Sequence, residues 1–105
     1  MKKVRVTVLK KEFYPDLAQE YGSQTMKPCP FFEVGQVYEC RENKRPEGFG
    51  CEDAWACLSR NVFALSSGGT DIYNGRWLKA GSNTCINCCN DGMRPVVFKL
   101  EVVEE

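Results

Sequence analysis

The sequence predicts a single α+β domain in which one principal helix packs on a small, mainly antiparallel sheet. The chain has 105 residues, the length of one domain, and no repeat, low-complexity tract or linker divides it. We therefore expect residues 1–105 to fold as one unit. Strand-like alternation of apolar and polar residues marks both ends of the chain. Between them, apolar residues at i, i+3 and i+4 spacing predict the helix.

Local patterns place the elements in order along the chain. They are a strand at residues 3–12, a short helix at about 15–21, a strand at 36–41, the principal helix at about 51–65 and a final strand at 95–103. Val4, Val6 and Val8 alternate with polar residues, which is typical of a half-buried strand. Pro15 and Gly22 stand where a short helix would begin and end.

The principal helix and the segment after it carry the clearest local signals. Glu52 and Asp53 suit the positive end of a helix dipole, and they directly follow Cys51. The pair Asn74-Gly75 is typical of a two-residue turn between strands. We therefore expect a hairpin around this pair.

Charge and histidine content exclude several functions. Fourteen basic and fourteen acidic side chains cancel, whereas a domain that binds nucleic acid carries a basic surface. We therefore expect no nucleic-acid partner. The chain has no histidine, which excludes a Ser/His or Cys/His catalytic pair within one chain and any metal site that needs an imidazole ligand.

Seven cysteines are the most distinctive feature of the composition. Their odd number and moderate density do not fit a small secreted disulfide scaffold. The first eleven residues alternate basic and apolar side chains without the apolar core of an export signal. No stretch approaches the roughly 20 apolar residues of a membrane span. We expect a cytoplasmic protein with no membrane partner, whose thiols are available for metals or chemistry.

Four of the cysteines stand apart from one another in the sequence and indicate different roles. Cys40 and Cys57 fit the apolar positions of a strand and a helix, so we expect both to be small core residues. Cys51 lies at a helix N-terminus, where the backbone donors stabilise a thiolate. Cys29 lies between two prolines that stiffen its loop. Cys51 and Cys29 are therefore candidates for a ligand or a reactive thiol.

The remaining three, Cys85, Cys88 and Cys89, form a Cys-x-x-Cys-Cys segment. Two thiols at Cys-x-x-Cys spacing can reach one metal ion, but a zinc ribbon needs a second such pair about 15–20 residues away, and the chain has none. A thioredoxin-like motif opens a helix, whereas a turn follows here. Reversible disulfide formation between Cys85 and Cys88 stays open as a thiol-redox alternative.

Two charged residues flank the turn that follows the Cys-rich segment. Asp91 and Arg94 are weak candidates for a proton donor and an anion clamp. The alternative is that Asp91 is a turn residue and Arg94 a surface cation.

Longer motifs run over nearly the whole chain. They are Val4-x-Val6-x-Val8-Leu9, Cys29-Pro30-x-Phe32-x-x-Gly35, Pro46-Glu47-Gly48-Phe49 followed by Cys51-x-x-Ala54-Trp55, the pair Gly68-Gly69, and a C-terminal Cys-x-Asp-Gly-x-Arg-Pro-Val-Val-Phe-Lys-Leu-Glu segment that begins at Cys89. With these motifs the chain resembles a family of small cysteine-containing proteins, about 100 residues long, of anaerobic bacteria and archaea.

The resemblance implies that Cys29, Cys51 and Cys89 are the three cysteines of the family pattern. It does not imply a particular activity. Gly50 and the extra Cys85 and Cys88 depart from the family pattern. The resemblance therefore leaves open which thiol near the turn is a ligand.

These observations predict a metal- or iron–sulfur-binding protein, with redox or sulfur chemistry if it is an enzyme. Three thiolates can hold a [4Fe–4S] cluster with one iron open to a small-molecule substrate, or zinc with one open position. Cys29, Cys51 and Cys89 are the predicted core ligands, and Cys88 or Cys85 would supply a fourth. The alternative is a non-enzymatic interaction module with core cysteines or a structural zinc, assembling as a homo-oligomer through its sheet edges.

Overall fold

In a computed structural model, an antiparallel sheet of four strands carries one long helix on one of its faces. The structure describes residues 1–79 and 82–103. The strands are β1 (Lys3–Lys11), β2 (Val37–Cys40), β3 (Thr84–Cys88) and β4 (Val96–Val103), and the helices are α1 (Pro15–Tyr21) and α2 (Glu52–Ser66). The predicted α+β class is confirmed. Within the described residues, no helix is long and apolar enough to cross a membrane.

The two end strands form the centre of the sheet, whose order is β2-β1-β4-β3. β1 and β4 pair in antiparallel register, so that Val6 lies opposite Leu100 and Val8 opposite Phe98. Side chains on one strand alternate between the two faces, and these four all point to the face that is covered. Their exposed fractions are 0–1%, as the alternation of the sequence predicts.

Helix α2 covers that face with an apolar stripe at helical spacing. Ala54, Leu58, Val62 and Leu65 are all fully buried. Burial of a Leu or Val side chain contributes about 1.5–3 kcal/mol, so this contact is a main source of stability. Aromatic rings from the loops complete the core. Phe32 lies with its ring centroid 5.2 Å from that of Phe98.

One buried polar contact joins α2 to β3. Asn61 Nδ2 donates to Oδ1 of Asn87 at 2.9 Å and to Oη of Tyr73 at 3.0 Å. Asn87 Nδ2 in turn donates to the same Tyr73 oxygen at 3.3 Å. Because a buried amide needs partners, this triad favours one alignment of α2 along β3.

The expected hairpin around Asn74-Gly75 is wrong. Ile72–Gly75 forms a single 3₁₀ turn instead of joining two strands. Tyr73 takes a left-handed backbone conformation with φ 64°, its ring stacks on Trp77 at 4.1 Å, and its hydroxyl is held by the amide triad. These tertiary contacts override the local turn preference. The sheet instead receives β3 from the Cys-rich segment, for which the sequence predicted no strand.

The amide triad yields a test of the α2–β3 alignment. We expect Asn61→Ala to lower the free energy of unfolding by about 1–2 kcal/mol, because it leaves the oxygen of Asn87 without its donor. Urea unfolding measures this value. Asn83→Ala, the same change at an exposed position, is the control and should shift stability by less than about 0.5 kcal/mol. Equal effects of the two changes would contradict the role of the triad.

Candidate functional site

A cavity of about 220 Å³ opens where three segments of the chain meet. They are the loop before β2, the N-terminus of α2, and the turn between β3 and β4. The three predicted core ligands, Cys29, Cys51 and Cys89, all line this cavity. Charged residues and apolar side chains complete the wall, among them Asp53, Asp91, Arg94, Phe31, Phe32 and Val96. The volume is enough for several water molecules or a small inorganic group.

Cys51 is positioned by the start of α2. It is the N-cap residue, with extended backbone (φ −142°, ψ 118°), and the backbone N–H of Ala54 donates to its Sγ at 3.4 Å. The first N–H groups of a helix have no partner within the helix. The sulfur therefore takes the place that a serine or aspartate oxygen usually occupies.

Cys89 is positioned by the sheet. Its backbone N–H donates to the carbonyl of Val96 at 3.1 Å, which continues the β3–β4 ladder by one residue. The N–H of Val96 donates back to Cys89 Sγ at 3.3 Å. The sulfur thus lies at the end of the sheet and faces the cavity.

Cys29 comes from the loop stiffened by Pro28 and Pro30. Its side chain is half-buried and packs against the hydrophobic core, as those of Cys51 and Cys89 do. The three sulfurs are therefore neither locked inside the core nor freely exposed.

Asp91 and Arg94 are hydrogen-bonded to each other within the turn that follows Cys89. Asp91 Oδ1 accepts from the backbone N–H groups of Met93 and Arg94, at 2.9 and 3.0 Å, and Oδ2 accepts from Arg94 Nε at 2.9 Å. Burial alone would raise the pKa of Asp91, but these hydrogen bonds and the Arg94 charge hold that pKa below its ordinary value. A carboxylate kept ionised in this way fits a turn-forming role better than that of a proton donor.

Two of the predicted ligands, Cys85 and Cys88, do not line the cavity. Cys85 is fully buried in the core, opposite Leu100, and burial raises the pKa of its thiol. Cys88 is exposed and, three residues further along β3, points to the opposite face of the sheet. A disulfide between Cys85 and Cys88, the thiol-redox alternative, does not fit this arrangement. Cys40 is a core residue as expected, and burial raises its pKa to about 12.

Cys57 lies beside the site, although the helical pattern predicted an ordinary core residue. It is half-buried on α2, four residues after Asp53, which lines the cavity. Burial raises the pKa of Cys57, and the charges of Cys89, Cys88, Asp53 and Cys51 raise it further. The i, i+4 spacing from Asp53 is the sequence signal that places Cys57 on this side of the helix.

The donor set can be compared with what metals require. Sulfurs that share one zinc ion lie at most about 4.6 Å apart, since Zn–S bonds are about 2.3 Å. Among residues 1–79 and 82–103, no three cysteine, aspartate or glutamate side chains form a group that could hold a metal ion. By chemistry, three half-buried thiols without a competing imidazole suit soft-ligand metals such as zinc and iron–sulfur clusters.

Comparisons with protein-family models, with curated proteins and with solved structures found no match. Function is therefore inferred from the cavity and its side chains.

The turn at Asp91 gives a pH-dependent prediction. Because its pKa is lower in the folded than in the unfolded chain, the carboxylate stabilises the fold above about pH 4 and loses this effect as pH falls through the folded-state pKa. We expect Asp91→Asn to cost about 1–2 kcal/mol at pH 7 and less at pH 3. Urea unfolding at the two pH values measures the difference.

The control for this prediction is Asp16→Asn, the same change at an exposed position in α1. It should leave stability within about 0.5 kcal/mol at both pH values. A cost for Asp91→Asn that does not shrink in acid would contradict the proposed ionised carboxylate.

Proposed function

We propose that the protein binds a metal centre, an iron–sulfur cluster or zinc, through Cys29, Cys51 and Cys89. The observation that carries the proposal is that these three cysteines, from distant parts of the chain, line one cavity. Because the three thiols do not form a metal-binding group as they stand in the described residues, binding would draw them together around the metal.

The surroundings of the sulfurs support ligation. Backbone N–H groups donate to Cys51 Sγ and to Cys89 Sγ. Such bonds orient a ligand, stabilise negative charge on it and tune the potential of an iron–sulfur cluster. Phe31, Phe32 and Val96 give the cavity an apolar wall on one side.

Arg94 supplies positive charge at the same cavity. Its Nε is bound to Asp91, and across the described part of the chain no acceptor engages its terminal Nη atoms. The bound group would supply a Lewis acid or an electron acceptor at the open position. Arg94 would then hold an anionic small molecule next to that position by charge-assisted hydrogen bonds.

The proposal implies a reducing compartment, the cytoplasm. Thiolate ligands must be reduced to bind, and all seven cysteines are free in the structure.

A second candidate is a non-enzymatic module that assembles as a homo-oligomer. It is supported by the open edges of the sheet, where Val37 on β2 and Ile86 on β3 are 53% and 42% exposed. The packing of the three cysteines against the core would then be their whole role.

Metal analysis of anaerobically purified protein decides between the two. We expect iron with sulfide, or zinc, in stoichiometric amount. Changing Cys29, Cys51 or Cys89 to serine should lower metal affinity by at least about tenfold, since even outer-shell partners of a metal contribute that much. Cys88→Ser, at an exposed thiol outside the cavity, is the matched control and should retain the metal.

Metal-free wild-type protein would overturn the proposal. Serine variants at Cys29 and Cys51 that lose stability but bind as much metal as the wild type would overturn it as well. The second result would favour the structural module.

A further inference from the structure

Two half-buried thiols, Cys57 on α2 and Cys89 directly after β3, lie on elements that pack against each other. The hydrogen bond from Asn61 to Asn87, 2.9 Å long, fixes one point of the alignment. Cys57 precedes Asn61 by one helical turn, about 6 Å along the axis. Cys89 follows Asn87 by two residues on the same side of the strand, about 6.6 Å along it. The distance from Asn61 back to Cys57 along α2 is therefore nearly equal to the distance from Asn87 on to Cys89 along the strand.

Residues on both sides of this hydrogen bond indicate that α2 and β3 run in opposite directions, so that Cys57 and Cys89 lie on the same side of it. One turn before Cys57 and two residues after Cys89 lie Asp53 and Asp91, which line the same cavity. In the opposite direction lie Leu65 and Cys85, which are both fully buried in the core. On this register, four residues along α2 correspond to two residues along β3 and its continuation, which puts Cys57 and Cys89 at corresponding positions.

Electrostatics agree with this register. Of the charges that act on the Cys57 thiol, that of Cys89 is the largest, ahead of Cys88, Asp53 and Cys51.

We propose that Cys57 and Cys89 form a dithiol that closes to a disulfide by exchange with a low-molecular-weight disulfide. Cys89 lines the cavity and Cys57 does not, so a reagent that enters the cavity reaches Cys89 before Cys57. Its thiolate attacks one sulfur of the small disulfide, forms a mixed disulfide and releases one small thiolate. Cys57 then loses its proton and attacks the Cys89 sulfur, which releases the second small thiol. Two protein thiols are oxidised and one small disulfide is reduced to two thiols.

The disulfide competes with any metal centre for Cys89. A sulfur in a disulfide cannot serve as a thiolate ligand, so closure of the pair would remove one of the three proposed ligands. The dithiol itself does not depend on a metal, and its chemistry can be measured in the protein with or without one.

The experiment treats anaerobically purified protein, as isolated and after chelator treatment, with oxidised glutathione. Free thiols are then alkylated, and intact mass and peptide mapping are recorded. We expect a species lighter by two hydrogen atoms, with a cross-linked peptide that joins Cys57 to Cys89. Cys57→Ser should stop at the mixed disulfide and carry one glutathione on Cys89, whereas Cys89→Ser should give neither product.

Cys88→Ser is the matched control, because Cys88 is the chain neighbour of Cys89 but points to the other face of the sheet. It should still form the Cys57–Cys89 disulfide. Wild-type protein that forms no such link in either sample, or that joins Cys57 to Cys88 instead, would overturn the proposal, whatever the variants do. Metal content of the same samples reports on the proposed metal centre separately.

Discussion

The seating of α2 on β3 and β4 is the constraint on which the rest of the structure depends. The apolar stripe of the helix fixes its distance from the sheet, and the bond from Asn61 to Asn87 fixes its position along β3. As a consequence, the N-terminus of α2 lies next to the turn between β3 and β4. Cys51 and Cys89 are the residues at those two ends, so the same packing that stabilises the domain builds two sides of the cavity.

The cavity combines features that the proposed ligand site would use. Two of its sulfurs accept backbone N–H groups, and its cation, Arg94, is oriented by a carboxylate that the turn keeps ionised. Buried thiols elsewhere in the chain show the contrast. Cys40 and Cys85 lie in hydrocarbon, and burial raises the pKa of each. The same residue type therefore occupies two different environments in one small domain.

Periodicity predicted the elements whose faces are set by burial. β1, β4 and α2 follow their apolar patterns almost to the residue, because each buries one face against a common core. The turn at Asn74-Gly75 was mispredicted because its conformation depends on Tyr73, whose partners come from α2 and β3. Cys57 was assigned to the core because a helical pattern does not say which neighbour a side chain faces. That information lies in the register of α2 against β3. The sequence had not predicted β3, and without it the opposite faces of Cys85 and Cys88 could not be inferred.

The central claim is that folding gathers Cys29, Cys51 and Cys89 around one ligand. Anomalous diffraction at the iron and zinc edges, from crystals of anaerobically purified protein, tests it most directly. The account predicts a metal peak inside the cavity in contact with all three sulfurs. Sulfurs that are separated from one another by core side chains, or a metal peak held by other residues, would contradict it.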